Sequence, residues 1–395
     1  MLDSRPTALV VTPTVPFPPV GGGEKRTLRL LEAMERAGAR PHVVTEHEGG
    51  DADGLRALGY AIDVVSSPAP TVRRRATQHL LRRPSPYLMG VAERLSALAR
   101  DAAFVQVEHA QSAYYGARFG RRPVVLSMHN VDSALLATVA RSTRPMSLDW
   151  ARSWNRWHAT RTVERRAAPR ASAVLCVSEA DRAHFARQAR EVLLAPNGVD
   201  NDLFLVPDLT AAGRPTEDVL FFGRLDYGPN LHGLLRFLAE GWPALAARRP
   251  RAHLRIAGHG AGTELREAVA GLDRVDLLGP VPSMPDELER STVTLVPLWQ
   301  GGGTRLKALE SLAAGRPAVG TALGLEQIGF ADEHHGLLAE TPRGLADATV
   351  ALLEDPARAG TMGRHGRELA GSFRWVETLR PAEDLYRRLL DRRGE

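Results

Sequence analysis

Ala8-Leu9-Val10-Val11 is a short apolar run, followed by a Pro- and Gly-rich loop from Thr12 to Gly23, a helical pattern, and Pro41-His42-Val43-Val44-Thr45 as a second strand-like run. In the helical stretch Leu28, Leu31, Met34 and Glu35 fall at near-helical spacing, and Gly38 supplies the stop. This is a strand-helix-strand unit. The alternation returns at Phe104 to Val107, Pro123 to Ser127 and Ala173 to Ser178, each a strand candidate between helical segments. Strands that alternate with helices imply a parallel sheet covered on both faces.

From Pro196 to Glu217 the periodicity lapses, and the reading there is a domain linker. A second series then begins, with strands expected at Asp218 to Phe222, His253 to Ala257, Val275 to Leu278, Val293 to Pro297 and Pro317 to Gly320. The last helix, Val376 to Leu390, carries Leu379, Leu385, Tyr386 and Leu389 on one face. The expected fold is α/β, with two Rossmann-like doubly wound domains facing each other across a cleft. Residues 1–205 are expected to form the first domain, 206–374 the second, and 375–395 a C-terminal helix packing back on the first.

The chain has 395 residues, of which 44% are hydrophobic and 25% charged, enough for two cores and inconsistent with disorder. Its net charge of +5 suits a nucleic-acid binder, a membrane-surface protein or an enzyme for phosphorylated substrates. Arginines are spread along the whole chain and aromatics are only 6%, which argues against a nucleic-acid face. The densest basic cluster, Arg73 to Arg75 with Arg82 and Arg83, reads as a solvated helical face and is the candidate for peripheral contact with an anionic membrane. Cys176 is the only cysteine, so no intrachain disulfide and no cysteine-based metal site exists. No stretch reaches a membrane span and no signal segment precedes the first strand, so the expected location is cytoplasmic, with the inner face of the plasma membrane left open.

Of 51 basic residues all but Lys25 and Lys307 are arginine, and each lysine stands just behind one of the two glycine triplets, Gly21 to Gly23 and Gly301 to Gly303. In an open parallel sheet ligands bind beyond the carboxyl ends of the strands. The first triplet, His129-Asn130, Gly223-Arg224, Gly258-His259-Gly260, Gly279-Pro280-Val281 and Gly301 to Arg305 all follow expected strands. In the last of these loops the glycines allow close approach of a ligand, and a helix beginning near Thr304 directs its free N–H groups at an anion, with Lys307 on the first turn. It is not a Walker loop, and the Gly258 to Gly262 glycines make a poor dinucleotide fingerprint. Asp51-Ala52-Asp53 and Asp200-Asn201-Asp202 are chance matches to a metal motif; no metal or cofactor is expected.

Together, Phe222 to Asn230, Pro297 to Glu310, Ala314 to Val319, Val177-Ser178-Glu179, Pro196 to Asp200 and His129 to Asp132 resemble the GT-B retaining glycosyltransferases of family 4, in a subset carrying Gly-Gly-Gly-Thr-Arg-Leu-Lys. The resemblance implies that Arg224 and Lys307 neutralise the diphosphate of a nucleotide sugar, that Glu310 accepts the ribose hydroxyls, and that the backbone near Val281 meets the base. It adds Gly258, Gly301, Gly302, Gly303, Thr304 and Arg305 to the donor side. His129 would face the transferred sugar, and Gly22, Gly23, Lys25 and His109 the acceptor. Two positions depart from the pattern: Gly302 stands where a glutamate is usual, and Gly228-Pro229-Asn230 where a lysine is usual.

The implied activity is metal-independent transfer, with retention, from a nucleoside-diphosphate sugar (a UDP-sugar first) to a hydroxyl of a saccharide or small natural product. A membrane-associated transferase acting on a lipid-linked envelope glycan, and a nucleotide-sugar epimerase of the same fold, remain alternatives.

Overall fold

The computed structural model describes residues 5–45, 50–65, 91–112, 119, 121–209, 216–301 and 305–392. The chain divides into two units, Met1–Pro196 with Leu379–Glu395, and Asn197–Thr378.

The first unit is built on a seven-stranded sheet in the order β3-β2-β1-β4-β5-β6-β7. Its strands are β1 (Thr7–Thr12), β2 (Arg40–Thr45), β3 (Ala61–Val64), β4 (Phe104–Glu108), β5 (Val124–Met128), β6 (Ala173–Cys176) and β7 (Val192–Leu194). Every pairing is parallel. Residues of β4, β5 and β6 are buried throughout, because helices cover both faces of a parallel sheet and leave no wet side. Leu9, Val11, Val105, Val107, Leu126 and Val174 form the centre of its core with the buried Cys176. Burying one such aliphatic side chain contributes about 1.5–3 kcal/mol.

The second unit repeats the design on a six-stranded sheet, β10-β9-β8-β11-β12-β13. Here β8 is Asp218–Phe222, β9 His253–Ala257, β10 Val275–Gly279, β11 Val293–Val296, β12 Ala318–Gly320 and β13 Gly336–Leu338. Phe221, Leu234, Phe237 and Trp242 fill one side of this sheet, and Val296, Leu309, Leu312 and Ala318 the other. Counted from its own first strand the order is 3-2-1-4-5-6, the doubly wound order in which winding reverses between the first and fourth strands. The switch points therefore lie between β1 and β4 and between β8 and β11.

Ten expected strands stand within a residue or two of their places, and three were not anticipated: Ala61–Val64, Val192–Leu194 and Gly336–Leu338. All three lie at or near sheet edges and are only three or four residues long, too short for a periodic signal. The helix that opens the chain spans Gly22–Arg36, so the first triplet is split between its N-cap, Gly21, and its first turn. The Val177-Ser178-Glu179 motif serves the fold locally, since the Ser178 hydroxyl accepts from Asp181 N at 3.1 Å and caps the helix Glu179–Phe185.

The expected linker is a correction. Residues 197–209 are packed on the second unit through Val199, Leu203, Val206 and Leu209, each at most 6% exposed. Arg367 donates to Asp208 Oδ1 and to the Val206 carbonyl, both at 2.6 Å, and buried Arg316 donates to the Pro207 carbonyl at 3.0 Å. The unit boundary consequently falls after Pro196, not after residue 205. The far boundary moves as well. Trp375–Thr378 is a separate short helix of the second unit, and the C-terminal helix proper is Arg380–Asp391. That helix lies in the first unit, where Tyr386 stacks on Phe104 at 5.2 Å and Arg36 donates to Glu383 Oε2 at 2.9 Å.

Candidate active site

In the second unit the switch point brings together the residues after β8 and after β11. Phe221 forms the floor: Lys307 Nζ stands 4.2 Å over its ring. The helix Leu306–Ala313 carries Lys307 on its first turn, two residues later in starting than the sequence suggested, with Arg305 as N-cap. Lys307 Nζ donates to Asn230 Oδ1 at 2.7 Å, and Asn230 Nδ2 donates to the Arg224 carbonyl at 2.8 Å. Burial pushes the Lys307 ammonium down to about 7, against the pull of Glu310 and with the push of Arg305. A cation so desolvated is one short of anionic company.

The glycines around it are there for space. A Cβ on Gly258 would lie 1.8 Å from the Gly223 carbonyl oxygen, so the turn after β9 passes against the turn after β8 only without a side chain. At Gly223 itself a Cβ would come within 3.3 Å of Asn230 Nδ2 and 3.5 Å of Lys307 Nζ. The lysine is thus set against bare backbone.

Arg224 is half exposed and forked on Asp226, Nε to Oδ1 at 3.0 Å and Nη2 to Oδ2 at 2.8 Å. Its guanidinium hydrogen bonds hold the Asp226 carboxyl below the usual carboxylate range. Glu310 is 8% exposed, on the same helix as Lys307 and close enough to act on its charge. Arg305 is engaged with Glu326 Oε1 at 2.7 Å. Gly301 has φ +115 beside Pro229, and Val281 is half-buried against the core. Gly302, Gly303 and Thr304 lie outside the described residues, as do Arg73 to Arg75, Arg82 and Arg83.

In the first unit the corresponding switch point gathers the start of the helix Gly22–Arg36 and the ends of β4 and β5. His129 follows β5, and its Nε2 lies 2.7 Å from Glu108 Oε2. The His109 ring lies against it, centroids 3.8 Å apart and planes tilted by 32°, with His109 held at φ +65. A Cβ on Gly23 would lie 3.5 Å from His129 Nδ1 and 3.7 Å from His109 Nε2, so both nitrogens face the glycine at the helix start. Burial pushes His109 down to about 3 and His129 well below its ordinary value, so both rings are neutral near pH 7. Lys25 is half-buried on the first turn of that helix, and Gly22 opens it.

Sequence reasoning missed the partners. Asn230 and Asp226 sit inside a quoted motif without a role of their own, Gln106 and Tyr386 fall on an expected strand and helix, and Arg26 and Glu108 were not singled out. The available signal was polarity at two alternate residues of a strand, Gln106 and Glu108, which in a covered sheet places two polar groups on one buried face. Among the described residues no group of three or more His, Cys, Asp or Glu is arranged to hold a metal ion.

Comparison with known proteins covers both units. Residues 20–203 match the family model Glycosyltransferase Family 4, and residues 216–355 match Glycosyl transferases group 1. A D-inositol 3-phosphate glycosyltransferase of Geodermatophilus obscurus is 33% identical over 217 residues, 50% of this chain and 47% of that protein. Its counterpart in Kineococcus radiotolerans is 28% identical over 307 residues, 69% of this chain and 67% of that one. The match thus spans about half the length of the first of these relatives. Among solved structures, sucrose-phosphate synthase from Thermosynechococcus elongatus superposes with a TM-score of 0.75 at 21% identity, covering 98% of this chain and 100% of that one. The Anabaena protein HepE, solved in complex with UDP and glucose, gives 0.71 at 18% identity over 96% and 98% of the two chains. With a family model on each unit and the two parallel sheets of the GT-B fold, the chain belongs to the family 4 glycosyltransferases, glycosyl transferases group 1.

Proposed function

We propose that the protein transfers a sugar from a nucleoside-diphosphate sugar, a UDP-sugar first, to an acceptor hydroxyl, with retention at the anomeric carbon and without a divalent metal. The observation that carries this reading is Lys307. It is a desolvated cation on the first turn of a helix, at the switch point of the second unit, oriented by Asn230 and set against bare glycine backbone. A diphosphate supplies the charge this lysine lacks, and the helix N-terminus adds its dipole. Complexes of HepE with UDP and with UDP-glucose support UDP as the nucleotide to try first.

In the proposed step the bond from the anomeric carbon to the β-phosphate oxygen breaks, and a bond to the acceptor oxygen forms on the same face. The acceptor's proton passes to the departing phosphate oxygen, so no pair of carboxylates is needed. Lys307 and Arg224 stabilise the charge that builds on the diphosphate, and Glu310 receives the ribose hydroxyls. Gly258, Gly301, Gly302, Gly303, Thr304 and Arg305 shape the donor loops, with Val281 towards the base. In the first unit Gly22, Gly23, Lys25, His109 and His129 receive the acceptor and the transferred sugar.

The acceptor is a saccharide or a small hydroxylated molecule; the relatives' name puts inositol phosphates first among those to test. A lipid-linked glycan acceptor would bring the protein to the inner membrane face through Arg73 to Arg75, Arg82 and Arg83. The test is a thermal-shift screen against UDP-, GDP- and dTDP-sugars, followed by measurement of released nucleoside diphosphate with inositol phosphates and saccharides. Release that depends on acceptor is expected. Conversion of the nucleotide sugar with no acceptor would mean an epimerase, and no stabilisation by any nucleotide would refute the donor site.

A further inference from the structure

A buried chain of side chains runs inward from the C-terminal helix to His129. Tyr386, Gln106, Glu108 and Arg26 are each 0% exposed. The Tyr386 hydroxyl donates to Gln106 Oε1 at 2.5 Å, Gln106 Nε2 donates to Glu108 Oε1 at 2.5 Å, and Glu108 Oε2 meets His129 Nε2 at 2.7 Å. These directions follow from an ionised Glu108: a carboxylate only accepts, so the Gln106 amide nitrogen must face it, and the Gln106 oxygen is left to accept from the Tyr386 hydroxyl, which burial keeps protonated. One carboxylate oxygen is then occupied, and the other is left for the imidazole.

The last link depends on whether Glu108 is ionised. Burial pushes its carboxyl up; the Arg26 guanidinium pulls it down, followed by His109 and the hydrogen bond of Gln106. A guanidinium does not deprotonate, so the cation buried at Arg26 requires a counter-charge, and Glu108 is the first group that supplies it; Asp181 acts more weakly. An ionised Glu108 is an acceptor only. His129 must then carry its proton on Nε2, which leaves Nδ1 bare, the atom nearest the position a Gly23 side chain would take.

We infer that Glu108 is a positioning residue: it fixes His129 as the Nε2–H tautomer, so that Nδ1 accepts a hydrogen bond from a substrate hydroxyl at the Gly22–Gly23 helix start, and Gln106 and Tyr386 hold Glu108 in place. The hydroxyl partner rests on the proposed transferase reading, whereas the tautomer does not. The arrangement gives a neutral, correctly facing acceptor, and the C-terminal helix becomes part of the site's support.

The experiment is nitrogen-15 NMR of the full chain labelled at histidine, with the His129 signal identified from a His129→Gln variant. Wild type is expected to show Nε2–H with a bare Nδ1. In Glu108→Gln the side-chain oxygen still accepts from Gln106, so the new amide donates to His129 Nε2 and the proton moves to Nδ1. That variant should also lose acceptor turnover on the order of ten- to a hundred-fold while keeping its affinity for UDP. Wild-type His129 protonated at Nδ1, or an unchanged tautomer in Glu108→Gln, would overturn the inference.

Where Glu108→Gln does not fold, Glu108→Asp keeps the charge opposite Arg26 but is one methylene too short to hold Nε2. It should show both tautomers, and a pure Nε2–H signal would equally overturn the inference. If wild type binds no nucleotide, the transferase reading fails, and the tautomer result is decided independently.

Discussion

Replacing Lys307 with arginine should abolish a pH dependence of nucleotide binding that burial of the lysine creates. In the free protein the ammonium is pushed down to about 7 from 10.5, so above pH 7 most molecules present a neutral amine to the proposed diphosphate. A bound diphosphate restores the charge, and the proton comes from solvent. At pH 8 the charged fraction is about one in eleven, so UDP binding should take up ~0.9 proton, and Kd should rise towards ten-fold per pH unit between pH 7.5 and 9, ~1.4 kcal/mol per unit. The terminal phosphate of UDP, with a pKa of about 6, is already ionised there and contributes little. Titration calorimetry at pH 8, in two buffers of different ionisation enthalpy, reads the uptake directly.

In Lys307→Arg the guanidinium stays charged, so affinity should be flat across the window. Lys307→Met should weaken binding on the order of ten- to a hundred-fold at pH 7. Without ligand the sign is fixed too: between about pH 7 and 10.5 the unfolded chain holds a proton that the folded chain does not, so this group makes the fold more stable as pH rises through that window. No buffer dependence at pH 8, together with a flat wild-type Kd from pH 7.5 to 9, would refute the placement of Lys307 at the phosphates.

Arg224→Ala should leave the melting temperature within a degree or two, because its ion pair with Asp226 is half exposed, yet lower turnover by about two orders of magnitude; a near-normal rate would remove it from the diphosphate. Asn230→Ala releases Lys307 from its 2.7 Å partner and should weaken UDP about ten-fold in calorimetry, with little change in acceptor KM. Gly258→Ala forces a Cβ to within 1.8 Å of the Gly223 carbonyl and should cost about 2–4 kcal/mol in urea unfolding; an unchanged midpoint would contradict that contact.

The strand pattern was legible because apolar runs bounded by glycine and proline recur with helices between them, and the glycine-lysine loops were legible because their residue types carry chemistry. Pairing was not. Asn230 belongs to a stretch, Gly228-Pro229-Asn230, that drew notice only for lacking a lysine, and nothing in the string says that it reaches Lys307, 77 residues away. Phe104-Val105-Gln106-Val107-Glu108 alternates like a half-exposed strand, yet β4 lies between β1 and β5, so its polar residues are enclosed. The 197–209 segment looked like a linker because its turn residues outnumber its apolar ones; what fixes it are Arg316 and Arg367, more than 100 residues further on. Those are long-range contacts, invisible to local periodicity.

The chain leaves the first unit at Pro196 and returns to it at Leu379, and where it does so the second unit is closed on itself: Val199 N donates to the Phe373 carbonyl at 2.8 Å, and Val199 bridges Arg374. The second unit is therefore one continuous stretch of chain, whereas the first is assembled from two: without 379–395, Phe104 and Gln106 lose Tyr386. Excision of 197–378 should yield an autonomous fragment whose ends already meet, while 1–196 alone should expose that part of its core.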